Sequence, residues 1–111
     1  MRLQMELKSA FANVLRRVRT LRRLTQEDFS ISSSRTNISL LERAKTIPTL
    51  EKLEDLCSVL SVHPITMLAL CYSVKEGVSV ETLIRQLLAE TEELEAAVDA
   101  SAFIDTRNAP Q

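Results

Sequence analysis

Leu24-Thr25-Gln26-Glu27, followed by Ser34-Arg35-Thr36-Asn37-Ile38-Ser39-Leu40-Leu41-Glu42-Arg43, reads as two short helices in quick succession. Thr25 has the position of an N-cap, with Asp28 three residues on in a capping-box arrangement. The helix that opens at Gln26 is short and keeps Phe29 for the core. Ser30, Ser32, Ser33 and Ser34 crowd the junction. Serine oxygens compete with the backbone for hydrogen bonds, so they favour turns and helix starts over helix interiors. A further helix is therefore predicted from Ser34 to about Arg43. It buries Ile38, Leu41 and part of Leu40, and it carries polar residues at its front.

Outward from this pair, the chain reads as further helices up to about residue 100. Leu7, Phe11, Val14, Leu15, Val18 and Leu21 recur at three- and four-residue intervals, one apolar stripe along a first helix. Arg16, Arg17, Arg19, Arg22 and Arg23 mostly take its other faces. Pro48-Thr49 stops the chain and caps a fourth helix, with Leu50, Leu53, Leu56, Cys57 and Leu60 inward. Pro64 suits the first turn of a fifth helix, where its missing N–H costs nothing, and Ile65, Leu68 and Cys71 are expected inside. Gly77, the only glycine, marks the one clear internal boundary. Ser79 can then cap a sixth helix with Val80, Leu83, Ile84, Leu87, Leu88, Leu94 and Val98 on one side and Glu81, Arg85, Glu90, Glu92, Glu93 and Glu95 on the other. The expected fold is all-α: a five-helix domain over residues 1–76, an amphipathic helix over 77–100, and a tail over 101–111.

Composition agrees, with 111 residues, 45% of them hydrophobic, one Gly, three Pro and no Trp. The net charge of −1 hides an asymmetry. Residues 1–46 hold ten Lys/Arg against four Asp/Glu, a net of +6; residues 47–111 hold four against eleven, a net of −7. A basic half joined to an acidic half fits a polyanion-binding face with a separate, solvated partner-binding end. Met1 to Lys8 mixes charged with apolar residues and lacks the apolar segment of a signal peptide. The longest apolar stretch, Met67 to Tyr72, is far too short to span a bilayer. A cytoplasmic chain that does not engage a membrane is expected, with Cys57 and Cys71 as buried, reduced thiols. His63 is the single histidine, so neither a metal site nor a general-base constellation is expected. One glycine cannot build a phosphate-cradling loop. The sequence predicts no cofactor and no enzymatic activity.

The run from Phe11 to Leu70 resembles the lambda-repressor/Cro-like (Xre-type) helix-turn-helix domain. Leu24-Thr25-Gln26-Glu27 is similar to the opening of that family's second helix, and Ser34 to Arg43 to its recognition helix. Pro48-Thr49-Leu50-Glu51-Lys52-Leu53 resembles the start of its fourth helix, and Leu60-Ser61-Val62 the approach to its fifth. The chain departs from the family pattern in two ways. From Gln26 to Glu42 it is two residues short and lacks the turn glycine, so either the second helix loses about half a turn or the serines make a tighter connection. Ala44 stands where a glycine usually follows the Glu-Arg pair, so that helix must end without the easiest left-handed residue.

The resemblance implies DNA recognition by the third helix in the major groove. Arg35 would pair bidentately with guanine and Asn37 with adenine, contacts worth roughly 1–3 kcal/mol of discrimination each. Thr36, Ser39 and Leu40 would complete the base-reading set. Gln26, Ser34, Arg43, Lys45 and Thr46 would meet phosphates, which position the protein without specifying sequence. The family pairs the position of Glu42 with a first-helix arginine, here Arg19, as a structural ion pair.

One recognition helix reads only a few base pairs, and domains of this kind bind as dimers to two half-sites. On the sixth helix Val80, Ile84, Leu87, Thr91, Leu94 and Val98 form a heptad-like series suited to a seam against a second copy. Two functions from different classes follow. The first is a homodimeric, sequence-specific transcriptional repressor on an inverted-repeat operator in double-stranded DNA. The second is an antitoxin-like or adaptor chain whose acidic sixth helix binds a partner protein.

Overall fold

In the computed structural model, residues 5–29 and 35–97 are described. Five α-helices lie among them: α1 (Leu7–Leu21), α2 (Arg35–Glu42), α3 (Leu50–Leu60), α4 (Pro64–Glu76) and α5 (Val80–Ala97). A single 3-10 turn, Gln26–Phe29, stands between α1 and α2. The helix expected at Gln26 is a 3-10 turn as far as Phe29, and the serines of the junction, residues 30–34, lie outside the described residues. Thr25 and Asp28 close that turn as anticipated: the Thr25 N–H donates to the Asp28 carboxylate at 2.6 Å.

The chain divides into two compact units, Met1–Val78 and Ser79–Gln111. In the first, α1 packs on α4 and α2, and α3 packs on α4 and the 3-10 turn. The Met5 N–H donates to the Lys75 carbonyl at 3.0 Å, and Arg22 reaches the Ser61 carbonyl at 3.2 Å. The start of α1 therefore lies at the end of α4, and the two run antiparallel. The core consists of Phe11, Val14, Leu15, Phe29, Ile38, Leu41, Leu53, Leu56, Cys57, Leu60, Met67 and Cys71. Each helix contributes an apolar stripe, which is why so short a 3-10 turn is retained: Phe29 is fully buried.

Three residues expected inside are instead exposed, namely Leu21 at 81%, Leu50 at 79% and Ile65 at 64%. Leu21 is the last residue of α1, Leu50 the first of α3 and Ile65 the second of α4. A helical stripe reaches the core only over the turns that lie against it, and these positions overhang the ends. Local capping follows the expected chemistry. The Lys52 N–H donates to Thr49 Oγ1 at 3.1 Å, and the Ile65 N–H to His63 Nδ1 at 3.0 Å, with Pro64 in the first turn.

Four helices end in the same left-handed manner. Arg23, Ala44, Ser61 and Gly77 have φ of 59°, 59°, 58° and 67°. After α1, the Leu24 N–H donates to the Arg19 carbonyl and the Arg23 N–H to the Thr20 carbonyl, both at 3.0 Å. After α2, Lys45 and Ala44 repeat the pattern on Leu40 at 3.0 Å and Leu41 at 3.2 Å; after α3, Val62 and Ser61 repeat it on Cys57 at 3.1 Å and Ser58 at 3.3 Å. These are Schellman caps, in which the last carbonyls find donors in the turning backbone. Ala44 thus adopts the left-handed conformation despite its Cβ.

Cys57 and Cys71 are both buried and unpaired. Burial pushes the Cys57 thiol up from its ordinary value. Burial, with a smaller contribution from neighbouring Cys57, pushes Cys71 up to about 12.

Within its own unit, α5 is capped by Ser79, whose Oγ accepts the Thr82 N–H at 3.1 Å. Leu83 is its one buried residue among those described. No single helix among the described residues is long and apolar enough to cross a membrane.

Candidate nucleic-acid interface

Glu42, the last residue of α2, is the only buried charged residue among those described, at 4% exposure. Three donors converge on its carboxylate and a fourth on its backbone carbonyl. Arg19 Nε donates to one carboxylate oxygen, and Arg19 Nη2 to the other at 2.9 Å. The Gln26 amide donates to Glu42 Oε1 at 3.2 Å, and Arg16 Nη2 closes on the Glu42 backbone carbonyl at 2.7 Å. A bidentate guanidinium–carboxylate pair is both strong and directional. It holds the Arg19 guanidinium above its ordinary value, chiefly through the hydrogen bond to Glu42. Arg19 Nη1 also donates to the Leu24 carbonyl at 2.8 Å. One side chain therefore ties α1, the turn that follows it at Leu24, and the end of α2.

Arg16 and Arg22 lie off the apolar stripe of α1, as the sequence places them. Each donates to a carbonyl at or just beyond the end of another helix, Arg16 at Glu42 and Arg22 at Ser61. Cations are favoured at that negative end of the helix dipole. Sequence reasoning missed this, although the three-residue spacing of Arg16 and Arg19 did place both on one side of α1. Gln26 was expected on a phosphate, and its amide instead gives one N–H to Glu42. A primary amide has two N–H donors, so this bond leaves the second outside its account.

The inner side of α2 carries Ile38, Leu41 and Glu42. About 100° per residue puts Leu40 roughly opposite Ile38. Ser39 and Leu40 are half-buried, while Arg43 and Lys45 are exposed. Arg43 lies along the helix, its Nε 3.3 Å from the Ser39 carbonyl. Asn37 and Thr46 are half-buried and line a shallow groove with Leu41, Ile47, Pro48, Thr49 and Lys52. Arg35 and Thr36 are described only as the opening residues of α2, and Ser34 lies outside the described residues. Of the expected seam, Val80 is half-buried and Ile84, Leu87 and Leu94 are exposed; Val98 lies outside the described residues. No group of three His, Cys, Asp or Glu among the described residues could hold a metal.

A 3-10 turn followed in the chain by a helix locked at its far end, with its outer side open, has the order of a helix-turn-helix domain. Residues 15–66, from within α1 to the first turn of α4, match the family model described as Helix-turn-helix. That segment, a little under half of the chain, is a helix-turn-helix of the lambda-repressor/Cro-like (Xre-type) kind, a kind that binds DNA. No curated protein and no solved structure matches the chain.

Proposed function

We propose that this chain is a sequence-specific transcriptional repressor, two copies of which read an inverted-repeat operator. Each copy sets the front of α2 into the major groove. The observation that carries this reading is the Glu42 anchor. It fixes the far end of α2 against α1 through Arg19 and Arg16 and leaves Ser39, Leu40 and Arg43 on the outer side. The surrounding half of the chain, residues 1–46, has ten basic and four acidic residues to attract phosphate.

Arg35 and Asn37 make the bidentate base contacts, with Thr36, Ser39 and Leu40 beside them. Ser34, Arg43, Lys45 and Thr46 meet the backbone, joined by the second N–H of Gln26. Ile84, Leu87 and Leu94, with Val80 and Val98, supply an apolar ridge on which another helix can pack.

Selection from a randomised duplex library at about 150 mM salt, where non-specific phosphate binding is weakened, tests the reading. An enriched inverted repeat with half-sites about one helical turn apart is expected. Arg35→Ala and Asn37→Ala then relax one base position each. Lys45→Ala weakens all sequences alike and lowers the salt slope by about 1. Unselective, salt-sensitive binding alone would remove operator reading. The exposed apolar residues of α5 beside its glutamates favour a second reading, an adaptor that recruits a protein partner.

A further inference from the structure

We infer that α5 is a docking helix for a basic amphipathic helix of another protein, which takes its apolar ridge in preference to a second copy of α5. This rests on and deepens the second reading given above, the recruitment of a protein partner by α5; nothing in it depends on DNA.

Four large apolar residues of α5 are exposed, Ile84 at 49%, Leu87 at 51%, Leu88 at 59% and Leu94 at 57%. Spacing makes Val80, Leu87 and Leu94 one set of seam positions and Ile84 and Thr91 the other. The residues flanking such a seam are then Glu81, Leu88 and Glu95 along one edge and Leu83, Glu90 and Ala97 along the other. Every charged flank is acidic. These positions set partner choice in paired helices, because each faces the flank of its partner. A second copy would bring glutamate against glutamate in either orientation. A helix with Lys or Arg on its flanks would bring opposite charge to all three.

A second feature of α5 points the same way. Arg85 is its only cation, and it already donates to Glu81 at 2.5 Å. Glu90 accepts from Gln86 at 3.2 Å, itself an uncharged donor. Glu90, Glu92, Glu93 and Glu95 crowd the last two turns, at the negative end of the helix dipole, where acidic side chains are unfavourable. Helix propensity alone would put cations there. The charge therefore suits something other than the helix itself, and a cationic partner supplies what the sequence omits. Thr91 turns its hydroxyl back to the Leu87 and Leu88 carbonyls, at 2.8 and 3.1 Å, which leaves the ridge with a methyl at that step.

The test titrates the full-length chain with a labelled synthetic helix carrying Leu at its seam and Lys at its flanks. The comparisons are the same helix with Glu at its flanks and a scrambled Lys peptide of equal composition. The Lys-flanked helix is expected to bind about tenfold or more tighter than the Glu-flanked one, with a preference that shrinks as salt rises. Leu87→Asp with Leu94→Asp abolishes binding although it adds negative charge. Glu90→Lys with Glu95→Lys reverses the preference between the two helices. All four sites are exposed, so thermal midpoints stay near the parent's.

Equal binding of the scrambled peptide would reduce the effect to bulk charge and overturn the inference, as would equal binding of both helices or of neither. Sedimentation of the chain alone separates the remaining occupant. A self-dimer that saturating Lys-flanked helix does not dissociate would assign the ridge to a second copy. Operator selection on the same preparation fails or succeeds independently, so loss of DNA reading and loss of this inference are distinguishable.

Discussion

Glu42 shows how much can rest on one carboxylate. It is buried because Arg19 neutralises it bidentately and Gln26 completes its acceptor set. The cost of its desolvation is offset only while those partners remain. Glu42→Ala should lower stability by about 3 kcal/mol, since it leaves the Arg19 guanidinium, 17% exposed, without its partner. Urea unfolding measures this, and retention of full stability would refute the anchor. Arg19→Lys should recover only part of the loss of Arg19→Ala, because an ammonium cannot make the parallel pair. Ala44 offers the opposite sign. Its φ of 59° costs a residue with a Cβ roughly 1–2 kcal/mol, partly cancelled by the freedom glycine gains when unfolded. Ala44→Gly is expected to stabilise by about 0.5–1 kcal/mol and raise the thermal midpoint by a few degrees.

At the scale of elements, the helix starts were legible because capping is local. Thr25 with Asp28, Thr49 with Lys52, and Ser79 with Thr82 each meet within three residues. Thr49→Ala should cost about 1 kcal/mol of stability in the same urea assay. The stripes were legible too, and they failed only at Leu21, Leu50 and Ile65, where periodicity carries no information about which turn overhangs the core. What the sequence hid is long-range. Gln26 meets Glu42 across 16 residues, Arg16 meets its carbonyl across 26, and Arg22 meets Ser61 across 39. Residue type gave Gln26 a phosphate and no sign of the Glu42 carboxylate, which it meets because the 3-10 turn packs against α2. The left-handed ends of α1 and α3 were likewise invisible, since neither Arg23 nor Ser61 is a residue that advertises that conformation.

Across the whole molecule, the two thiols report on integrity. Their folded values lie above the ordinary one, and Cys71 stands at about 12. The native state therefore holds protons that the unfolded chain releases. The stability they contribute is complete below about pH 8.5 and falls as pH rises toward 12, with a limiting slope of about 1.4 kcal/mol per pH unit for each thiol. Cys71→Ala should flatten the decline between about pH 9 and 11 while lowering the plateau. At pH 8 a thiol reagent should label the native chain only at its unfolding rate. The helix ends carry a last consequence, for cutting and joining the chain. A Schellman cap dictates the direction in which the backbone leaves, and after α1 and α3 only two residues separate the left-handed one from the next helical turn. These joints have no slack, so a tag spliced after Val62 should abolish folding. The same tag between Val78 and Ser79, where the two compact units meet in sequence, should leave both helices capped and the reading domain intact.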